Sequence, residues 1–289
     1  MTAVLLIGLG HIGAKHLGTL RTFDELTICG IVEQRAEVLE TTDLRGIPQF
    51  RDVTKALAAT RPDLAIVATP PNVALTIATV CARHGATVLV EKPVVVDVEQ
   101  HRAAIRKLEP YPVFVAFQPH FARGIAALLG REHWHQDAGL RVLITLDCRR
   151  HRHYYSGWRA HYDSAGGVLH QQAIHAIALA MRFWPVDDPI AMCRVVIINR
   201  RPWKTIEDEV HASVVFQSGR ELQIAASVDS LARDRHTLIL LASSGEAAVI
   251  NGRNLERGVL GSGPRDDQTH EALRASLYRA LLASLSDGV

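Results

Sequence analysis

The sequence predicts an α/β protein: an N-terminal parallel sheet between helices, then a C-terminal α+β domain with a large, open, mostly antiparallel sheet. In the first 119 residues, short continuous apolar runs alternate with segments of helical periodicity, which is typical of a parallel sheet buried on both faces. From about Phe121, longer strand-like runs separated by turns replace this pattern. With 289 residues, the chain exceeds an average domain, so we expect domains at 1–119 and 120–289.

The charge balance argues against polyanionic partners. Lys and Arg number 32 against 30 Asp and Glu, for a net charge of +2, and no block of one sign could follow a nucleic acid or coat a bilayer. We therefore expect a small-molecule substrate, with neither nucleic acid nor membrane as a partner.

The cysteines and the apolar runs predict a cytoplasmic location. Four cysteines lie far apart without a CxxC pair, and Cys29 and Cys81 stand inside apolar runs, as expected for buried free thiols in a reducing compartment. No signal peptide opens the chain, and no apolar run approaches the roughly 20 residues of a membrane span.

The first apolar run leads into a glycine-rich turn. AVLLIG (3–8) reads as a buried strand, and glycines follow at Gly8, Gly10 and Gly13 before the helical pattern HIGAKHLGTLRTF. This arrangement is typical of dinucleotide binding, in which the glycines provide a tight turn, close phosphate approach and close helix packing. The alternative is a glycine-rich turn that only connects strand and helix. The pyrophosphate would bind at the helix N-terminus, beside His11 and Ile12. The first domain is therefore predicted to be a Rossmann domain.

The next strand predicts the cofactor preference. LTICGIVEQ (26–34) contains Glu33, 20 residues after Gly13, where a carboxylate accepts hydrogen bonds from the adenosine ribose. Because a carboxylate repels a 2′-phosphate, NAD is favoured over NADP. Arg35 stands close enough to offer the opposite choice, so both cofactors stay open.

The strand-helix alternation continues to residue 118, through DLAIVAT (63–69), ATVLVEKP (86–93) and YPVFVAFQ (111–118). Ligands of such folds bind at the carboxyl ends of the strands, where Thr69, Pro70, Lys92 and Gln118 lie. A lysine at this position can donate a hydrogen bond to, or exchange a proton with, a reacting oxygen.

With the glycine frame, His16, the ATPP turn and VLVEKP, the chain resembles the glucose-fructose oxidoreductase and inositol dehydrogenase (Gfo/Idh/MocA) family. The resemblance implies NAD or NADP as cofactor. It assigns Lys92 of the EKP motif to the catalytic site, in reach of a substrate hydroxyl or carbonyl, and places Glu91 with the cofactor-binding residues.

In the second half we expect strands at LRVLITLDCRR, EVHASVVFQSG, ELQIAASVDS and HTLILLASSG, and one helix over 164–184. The family carries here a WR element, glycines and a helix with an active-site histidine. Trp158, Arg159 and His175 match that pattern, whereas Gln171 occupies the position at which the family often has an aspartate. The pair Gln171 and Gln172 resembles a subset of sugar-nucleotide 3-dehydrogenases and 3-ketoreductases.

Spacing gives this segment a chemical role of its own. Residues four apart share a helix face, so Gln171 and His175 can address one ligand, and His175 is the natural general acid or base. With Gln118, Trp158, Arg159 and Gln172, Gln171 forms the predicted substrate-binding set. Helix packing remains the alternative for both glutamines.

Fifteen histidines raise the question of a metal. His151 and His153 would share one face of a strand, but no HExxH motif is present and the family resemblance implies no metal, so none is expected. Nearby arginines, Arg149, Arg150 and Arg152, either bind a phosphorylated or nucleotide-linked substrate or form a solvated strand end. Tyr154, Tyr155 and Trp158 either stack on a sugar or belong to the core.

Three features depart from the family pattern: Ala74 replaces a common histidine, His120 stands at a common arginine, and the chain stops at Val289, where the family adds a helix that packs on the nucleotide domain.

The sequence therefore predicts an NAD(P)-dependent oxidoreductase acting on a cyclic polyol or sugar, free or nucleotide-linked. The alternatives are a catalytically silent dinucleotide-binding sensor and a reductase of an imine or non-sugar carbonyl. Apolar residues in VHASVVF and LQIAASV predict a homodimer or homotetramer through the C-terminal sheet.

Overall fold

The computed structural model describes residues 1–231, 234–252, 254–257 and 269–286. They form two compact units. The first comprises Met1–Ala116 and the chain from Arg274 onward, and the second comprises Phe117–Leu273.

Within the described residues, the first unit contains a six-stranded parallel sheet. The strands are β1 (Thr2–Ile7), β2 (Leu26–Val32), β3 (Gln49–Phe50), β4 (Leu64–Val67), β5 (Thr87–Val90) and β6 (Val113–Val115). Their spatial order, β3-β2-β1-β4-β5-β6, is that of a dinucleotide-binding fold. β4 and β5 are buried at every residue, which explains their continuous apolar sequence.

Helices connect these strands: α1 (His11–Leu20), α2 (Ala36–Thr41), α3 (Val53–Thr60), α4 (Pro71–Arg83) and α5 (Val98–Leu108). Asp52 caps α3 by accepting a hydrogen bond from the Lys55 amide, and Pro71 opens α4, where a missing N–H is harmless. The expected Rossmann domain is confirmed.

The second unit contains, within the described residues, a seven-stranded mixed sheet of order β13-β12-β11-β7-β10-β9-β8. The strands are β7 (Arg141–Asp147), β8 (Ile190–Ile198), β9 (Glu209–Phe216), β10 (Glu221–Ser227), β11 (Arg235–Leu241), β12 (Ala247–Asn251) and β13 (Asn254–Arg257). β7 and β10 pair parallel and the other neighbours antiparallel. The predominance of antiparallel pairs confirms the predicted mostly antiparallel sheet. Alternating burial along β7 and β10 places one face of this sheet on the core.

The helices of the second unit are α6 (Arg123–Leu129), α7 (Glu132–Gln136), α8 (Tyr162–Ala165) and α9 (Ile174–Met181), and α10 (His270–Ser286) follows the sheet. The core of this unit includes Trp134, Phe183 and Leu240, which are almost completely buried.

The structure corrects two local predictions. His151 and His153 do not lie on a strand, because Arg152–Tyr155 forms a 3-10 turn. The single helix expected over 164–184 is interrupted: Gly166 adopts a positive φ of 60°, and a π-helical turn, Leu169–Ala173, precedes α9.

The C-terminal helix also differs from the expected division at residue 120. Residues from Arg274 onward group with the first unit rather than with the C-terminal domain. The reason is side-chain packing: Tyr278 of α10 contacts His16 and Phe23, and Arg274 donates a hydrogen bond to Thr19.

No helix in the described part of the chain is long and apolar enough to cross a bilayer.

Candidate functional site

The glycine loop after β1 has the three features that a bound pyrophosphate needs. Gly8 has a φ of 90°, which favours glycine, and a Cβ at Gly13 would lie 2.0 Å from the Gly8 carbonyl oxygen. Above Gly10 the space is open, since the nearest atom to a Cβ there is an Arg35 guanidinium nitrogen at 3.8 Å. The turn, the open cradle and the close helix contact fit a dinucleotide.

The loop leads directly into the N-terminus of α1. Gly10 is the N-cap residue and has no side chain to accept hydrogen bonds from the first turn, where exposed His11 and half-buried Ile12 lie. Amide groups at such a helix end bind anions well, because they are unsatisfied and lie at the positive end of the helix dipole.

Glu33 ties β2 to the glycine loop. It is buried, and its carboxylate accepts hydrogen bonds from the Leu9 amide at 2.8 Å and from the Arg35 amide at 3.0 Å. The Arg35 guanidinium also donates to both carboxylate oxygens, at 2.9 and 3.0 Å. Burial alone would raise the pKa of this carboxyl, but the Arg35 and backbone hydrogen bonds lower it to about 2. The group is therefore ionised at any working pH.

The ends of β4 and β5 hold the other predicted residues of this unit. Thr69 and exposed Pro70 follow β4, and the buried Thr69 hydroxyl has no hydrogen-bond partner among the described residues. After β5, Glu91 is buried and Lys92 half-buried, and their backbone is held by a hydrogen bond from the Glu91 amide to the Val67 carbonyl. The structure thus brings Thr69, Glu91 and Lys92 to the carboxyl edge of one sheet.

In the second unit, arginine and aromatic side chains stack around the WR element. The Arg159 guanidinium carbon lies 4.4 Å from the centre of the Trp158 ring and 5.3 Å from that of Tyr154. Arg150 lies 5.6 Å from the Tyr154 ring. Such contacts fix the guanidinium groups and the ring faces relative to one another.

Gln172 joins the same cluster. Its amide nitrogen donates to the Tyr154 hydroxyl at 2.7 Å, and its amide oxygen accepts from the Arg150 guanidinium at 2.9 Å. Gln171 is buried and points to backbone instead, donating to the carbonyl oxygens of Arg159 and Gly166 at 3.2 Å each. The two neighbouring glutamines therefore do different things, and the bonds of Gln171 hold the WR turn against the helix start.

A buried ion cluster orders the loop that follows β8. Asp208 is fully buried and accepts hydrogen bonds from the Arg201 side chain and from the Arg200 and Arg201 amides, while Lys204 lies 2.8 Å from it. The adjacent Glu207 accepts a hydrogen bond from the Val168 amide at 2.6 Å. The loop thereby supplies an acidic cap to the helical segment that carries Gln171 and His175.

His175 lies in an aromatic environment. It packs edge-on against Phe117, with ring centres 5.8 Å apart, and Phe117 stacks on His120 at 5.1 Å. The buried His120 ring donates from Nε2 to the His175 carbonyl oxygen at 3.3 Å, and burial lowers the pKa of His120 to about 4. Gln118 lies in the same 3-10 turn as His120, so the structure groups these residues within the second unit.

Among the described residues, no group of three or more His, Cys, Asp or Glu side chains is arranged to hold a metal ion.

Two family models match the chain. The oxidoreductase family with an NAD-binding Rossmann fold matches residues 2–117, and the Gfo/Idh/MocA C-terminal domain matches residues 138–248. The chain belongs to the Gfo/Idh/MocA oxidoreductase family. It is therefore an oxidoreductase-family protein with an NAD-binding domain. None of the curated proteins matches its sequence.

Solved structures of other proteins share the fold. The WlbA dehydrogenase from Bordetella pertussis, in complex with NADH and UDP-GlcNAcA, is 20% identical with a TM-score of 0.78, and 96% of this chain aligns with 83% of that one. A myo-inositol dehydrogenase from Corynebacterium glutamicum is 18% identical with a TM-score of 0.75, covering 100% and 89%. The UDP-N-acetylglucosamine 3-dehydrogenase GnnA from Acidithiobacillus ferrooxidans is 17% identical with a TM-score of 0.78, covering 98% and 89%.

Sequence reasoning missed several residues that hold predicted site residues in one or the other unit of this Gfo/Idh/MocA protein. Glu207, Asp208 and Tyr278 stand in segments without a motif. Their partners lie 39 or more residues away along the chain in the cases of Glu207 with Val168 and Tyr278 with His16. The three acidic residues in IEDEV, close to RRPWK, were the available sequence signal for the ion cluster, but a charge run in a loop more often indicates solvent exposure.

Proposed function

We propose that the protein is a dehydrogenase or reductase that transfers a hydride between a nicotinamide cofactor and a secondary alcohol or ketone of a cyclic polyol or sugar, free or nucleotide-linked. The observation that carries this proposal is the preformed cradle over Gly10, with Lys92 after the end of β5, two strands away from β1 in the same sheet. Bound nicotinamide supplies the hydride acceptor or donor.

NAD is the proposed cofactor. Gly10 and the first turn of α1 would hold the pyrophosphate, and the Glu33 carboxylate would accept hydrogen bonds from the adenosine ribose. Its ionised state supports this role, because a permanent negative charge repels the 2′-phosphate of NADP. The Thr69 hydroxyl, which has no hydrogen-bond partner in the described part of the chain, offers a further polar contact beside the cradle.

Lys92 and His175 are the proposed catalytic residues. In the oxidation direction, bound nicotinamide would take up the hydride from the carbinol carbon, and a base would take up the hydroxyl proton. Lys92 would hydrogen-bond the reacting oxygen, and His175 would accept the proton or return it in reduction.

The arginine and aromatic cluster around Trp158 and Arg159 supports a sugar-like substrate. Flat rings such as Tyr154 and Trp158 pack against the apolar face of a pyranose, while guanidinium groups recognise phosphate oxygens. Gln172 links Tyr154 with Arg150 in this cluster. The solved relatives named above include a dehydrogenase bound to UDP-GlcNAcA and a myo-inositol dehydrogenase, which supports testing both free polyols and nucleotide-linked sugars.

The test is cofactor binding and turnover. NADH and NADPH binding is measured by fluorescence, and reduction of NAD or NADP by absorbance at the nicotinamide band, against inositols, free sugars and UDP- or TDP-linked sugars. With a substrate found, Lys92→Ala and His175→Ala should each lower kcat by roughly 100-fold or more. Arg106→Ala is the control, because Arg106 lies in the last turn of α5 and belongs to none of the proposed sites.

The outcomes separate the alternatives. Tight cofactor binding without turnover of any substrate would favour a catalytically silent dinucleotide-binding sensor. Turnover only of imines or non-sugar carbonyls would favour a reductase of that class. Failure to bind either cofactor would overturn the proposal.

We also propose a homodimer or homotetramer formed through the C-terminal sheet. The edge strand β8 is exposed along almost its whole length, and its apolar residues include Val195, Val196 and Ile197, each at least half exposed. Exposed apolar side chains on both faces of an edge strand favour association with another chain, and an edge strand without protection promotes it.

A further inference from the structure

We propose that the C-terminal helix α10 sets the conformation of residues 91–93 after β5, here called the Lys92 turn. It does so through a buried hydrogen-bond network in which Tyr278 and His16 are positioning residues. The inference rests on the proposed function for its catalytic consequence, since Lys92 is one of the proposed catalytic residues. No motif of the sequence assigns a role to Tyr278.

The network connects three elements at one histidine. His16 of α1 is completely buried. Its Nδ1 lies 2.5 Å from the Tyr278 hydroxyl of α10, and its Nε2 lies 2.9 Å from Glu91 Oε1. Glu91 follows β5 and directly precedes Lys92.

The donors and acceptors of the three side chains fit one continuous chain of hydrogen bonds. In it the Tyr278 O–H donates to Nδ1 of His16, and Nε2–H of His16 donates to the Glu91 carboxylate. Burial raises the pKa of Tyr278, which keeps its proton in place as the donor. With this tautomer, both ring nitrogens of a buried histidine are satisfied.

Further contacts anchor α10 on α1. Arg274, four residues before Tyr278 and therefore on the same helix face, donates to the Thr19 hydroxyl at 3.2 Å. The Tyr278 ring packs edge-on against Phe23 with ring centres 5.7 Å apart. These two contacts hold the face of α10 that carries Tyr278 against α1 and the segment that follows it.

The consequence concerns Glu91. Its carboxylate is bound to His16, and its amide is bound to the Val67 carbonyl of β4, so side chain and backbone are both fixed at the residue before Lys92. Removing the Tyr278 hydroxyl leaves Nδ1 of His16 without its donor and frees the imidazole to change tautomer or rotate. The hold on Glu91 then weakens, and the Lys92 turn becomes less ordered.

The first test needs no substrate. Hydrogen exchange is followed by mass spectrometry in Tyr278→Phe and in the control Tyr111→Phe, which removes a hydroxyl from another partly buried tyrosine packed on the nucleotide unit. We expect exchange at Glu91 and Lys92 to rise on the order of tenfold in Tyr278→Phe, as for the loss of one buried hydrogen bond. Hydrogen exchange in β4 of Tyr278→Phe should stay unchanged, and so should exchange at Glu91 and Lys92 in the control Tyr111→Phe.

The second test uses turnover. Tyr278→Phe should lower kcat about tenfold with an unchanged affinity for NADH, and it should have no further effect in a Lys92→Ala background, because residues acting through one group are non-additive. A purely structural tyrosine would instead reduce kcat by the same factor in both backgrounds.

Unchanged exchange at Glu91 and Lys92, or a uniform rise throughout the unit, would overturn the inference. The inference would also be overturned if Tyr278→Phe lowered kcat by the same factor in the parent protein and in the Lys92→Ala background. If no alcohol is turned over, the proposed function fails, whereas the exchange at Glu91 and Lys92 still decides the coupling.

Discussion

Glu33 illustrates how one residue combines a structural and a binding role. Its carboxylate accepts hydrogen bonds from Leu9 in the glycine loop and from Arg35. Because its pKa is lowered from 4.5 to about 2, its stabilising effect is complete above the unfolded-state value and is lost as pH falls towards 2. Cofactor affinity should therefore not fall between pH 8 and pH 5 through protonation of this group.

A substitution at Glu33 should exchange the cofactor preference. In Glu33→Ala the ribose loses a charged acceptor and Arg35 loses its partner, so Arg35 is available for a 2′-phosphate. We expect NADH affinity to fall about 10- to 100-fold, as for a lost hydrogen bond to a charged group, and NADPH affinity to rise. Dissociation constants from fluorescence titration check this.

Arg35→Ala is the matched control, because it keeps the carboxylate and removes only the guanidinium. NADH affinity should then change little and NADPH affinity should stay low. A loss of both affinities in Glu33→Ala would show that the carboxylate acts only by holding the glycine loop.

His120 gives a pH-dependent stability. Burial lowers its pKa from 6.5 to about 4 in the folded protein, so the unfolded chain binds more protons between these values, and stability falls as pH drops from 6.5 to 4. In His120→Gln, which cannot titrate, the slope of the unfolding free energy against pH should be smaller by about one proton.

Urea unfolding between pH 4 and pH 7 measures this slope. Histidines such as His170 and His236 also have pKa values lowered by burial, so the variant should retain part of the dependence. An identical slope in the parent and in His120→Gln would contradict the assignment.

At the scale of elements, the glycine loop and α1 act as one rigid joint. Gly13 touches the Gly8 carbonyl, and Gly18 of the same helix has open space around the position of a Cβ. The two glycines therefore have opposite roles: the first permits close packing, and the second only lowers helix stability.

Alanine at these two positions tests the joint. Gly13→Ala should lower the unfolding free energy by at least about 2 kcal/mol, because the new Cβ overlaps main-chain atoms, and it should weaken NADH binding. Gly18→Ala should raise the unfolding free energy by about 0.5 to 1 kcal/mol through helix propensity. Urea unfolding of both variants decides, and similar values for the two would argue against the close contact.

Periodicity predicted these elements unevenly. Strands such as β1, β4 and β5 were predictable because burial on both faces requires continuous apolar runs. The π-helical turn before α9 was not, because Gly166 and the Glu207 carboxylate that binds the Val168 amide decide where the helix starts. As a result, Gln171 lies in the π-helical turn and His175 in α9, so their four-residue spacing is not that of one regular α-helix. The Gln171 side chain donates hydrogen bonds to backbone carbonyls instead.

At the scale of the whole molecule, β8 is the exposed strand through which we propose the oligomer forms. This strand was absent from the strands predicted from the sequence. Val196 pairs with exposed His211 of β9, whereas Ile197 pairs with buried Val210. The two neighbouring side chains thus point to opposite faces of the sheet, and Val196 belongs to the face turned away from the core.

Charges on these two side chains test the proposed oligomer. Val196→Glu should convert the dimer or tetramer to monomers at micromolar concentration, because burying an unpaired carboxylate at the interface is unfavourable. Ile197→Glu, on the other face, should have a smaller effect. Light scattering measures the molar mass, and a monomeric parent protein would contradict the proposal.

The sequence by itself determined the family, the two kinds of sheet and the positions of Gly8, Gly10, Gly13, Glu33 and Lys92, because these depend on local patterns and fixed spacing along the chain. The tertiary structure decided which distant side chains meet: Tyr278 with His16, Glu207 with Val168, and Arg150 with Gln172. It also decided that α10 groups with the nucleotide unit. The physical reason is that a buried hydrogen bond depends on the position of its partner in space, and residues 22 to 262 positions apart leave no periodic signal in the sequence.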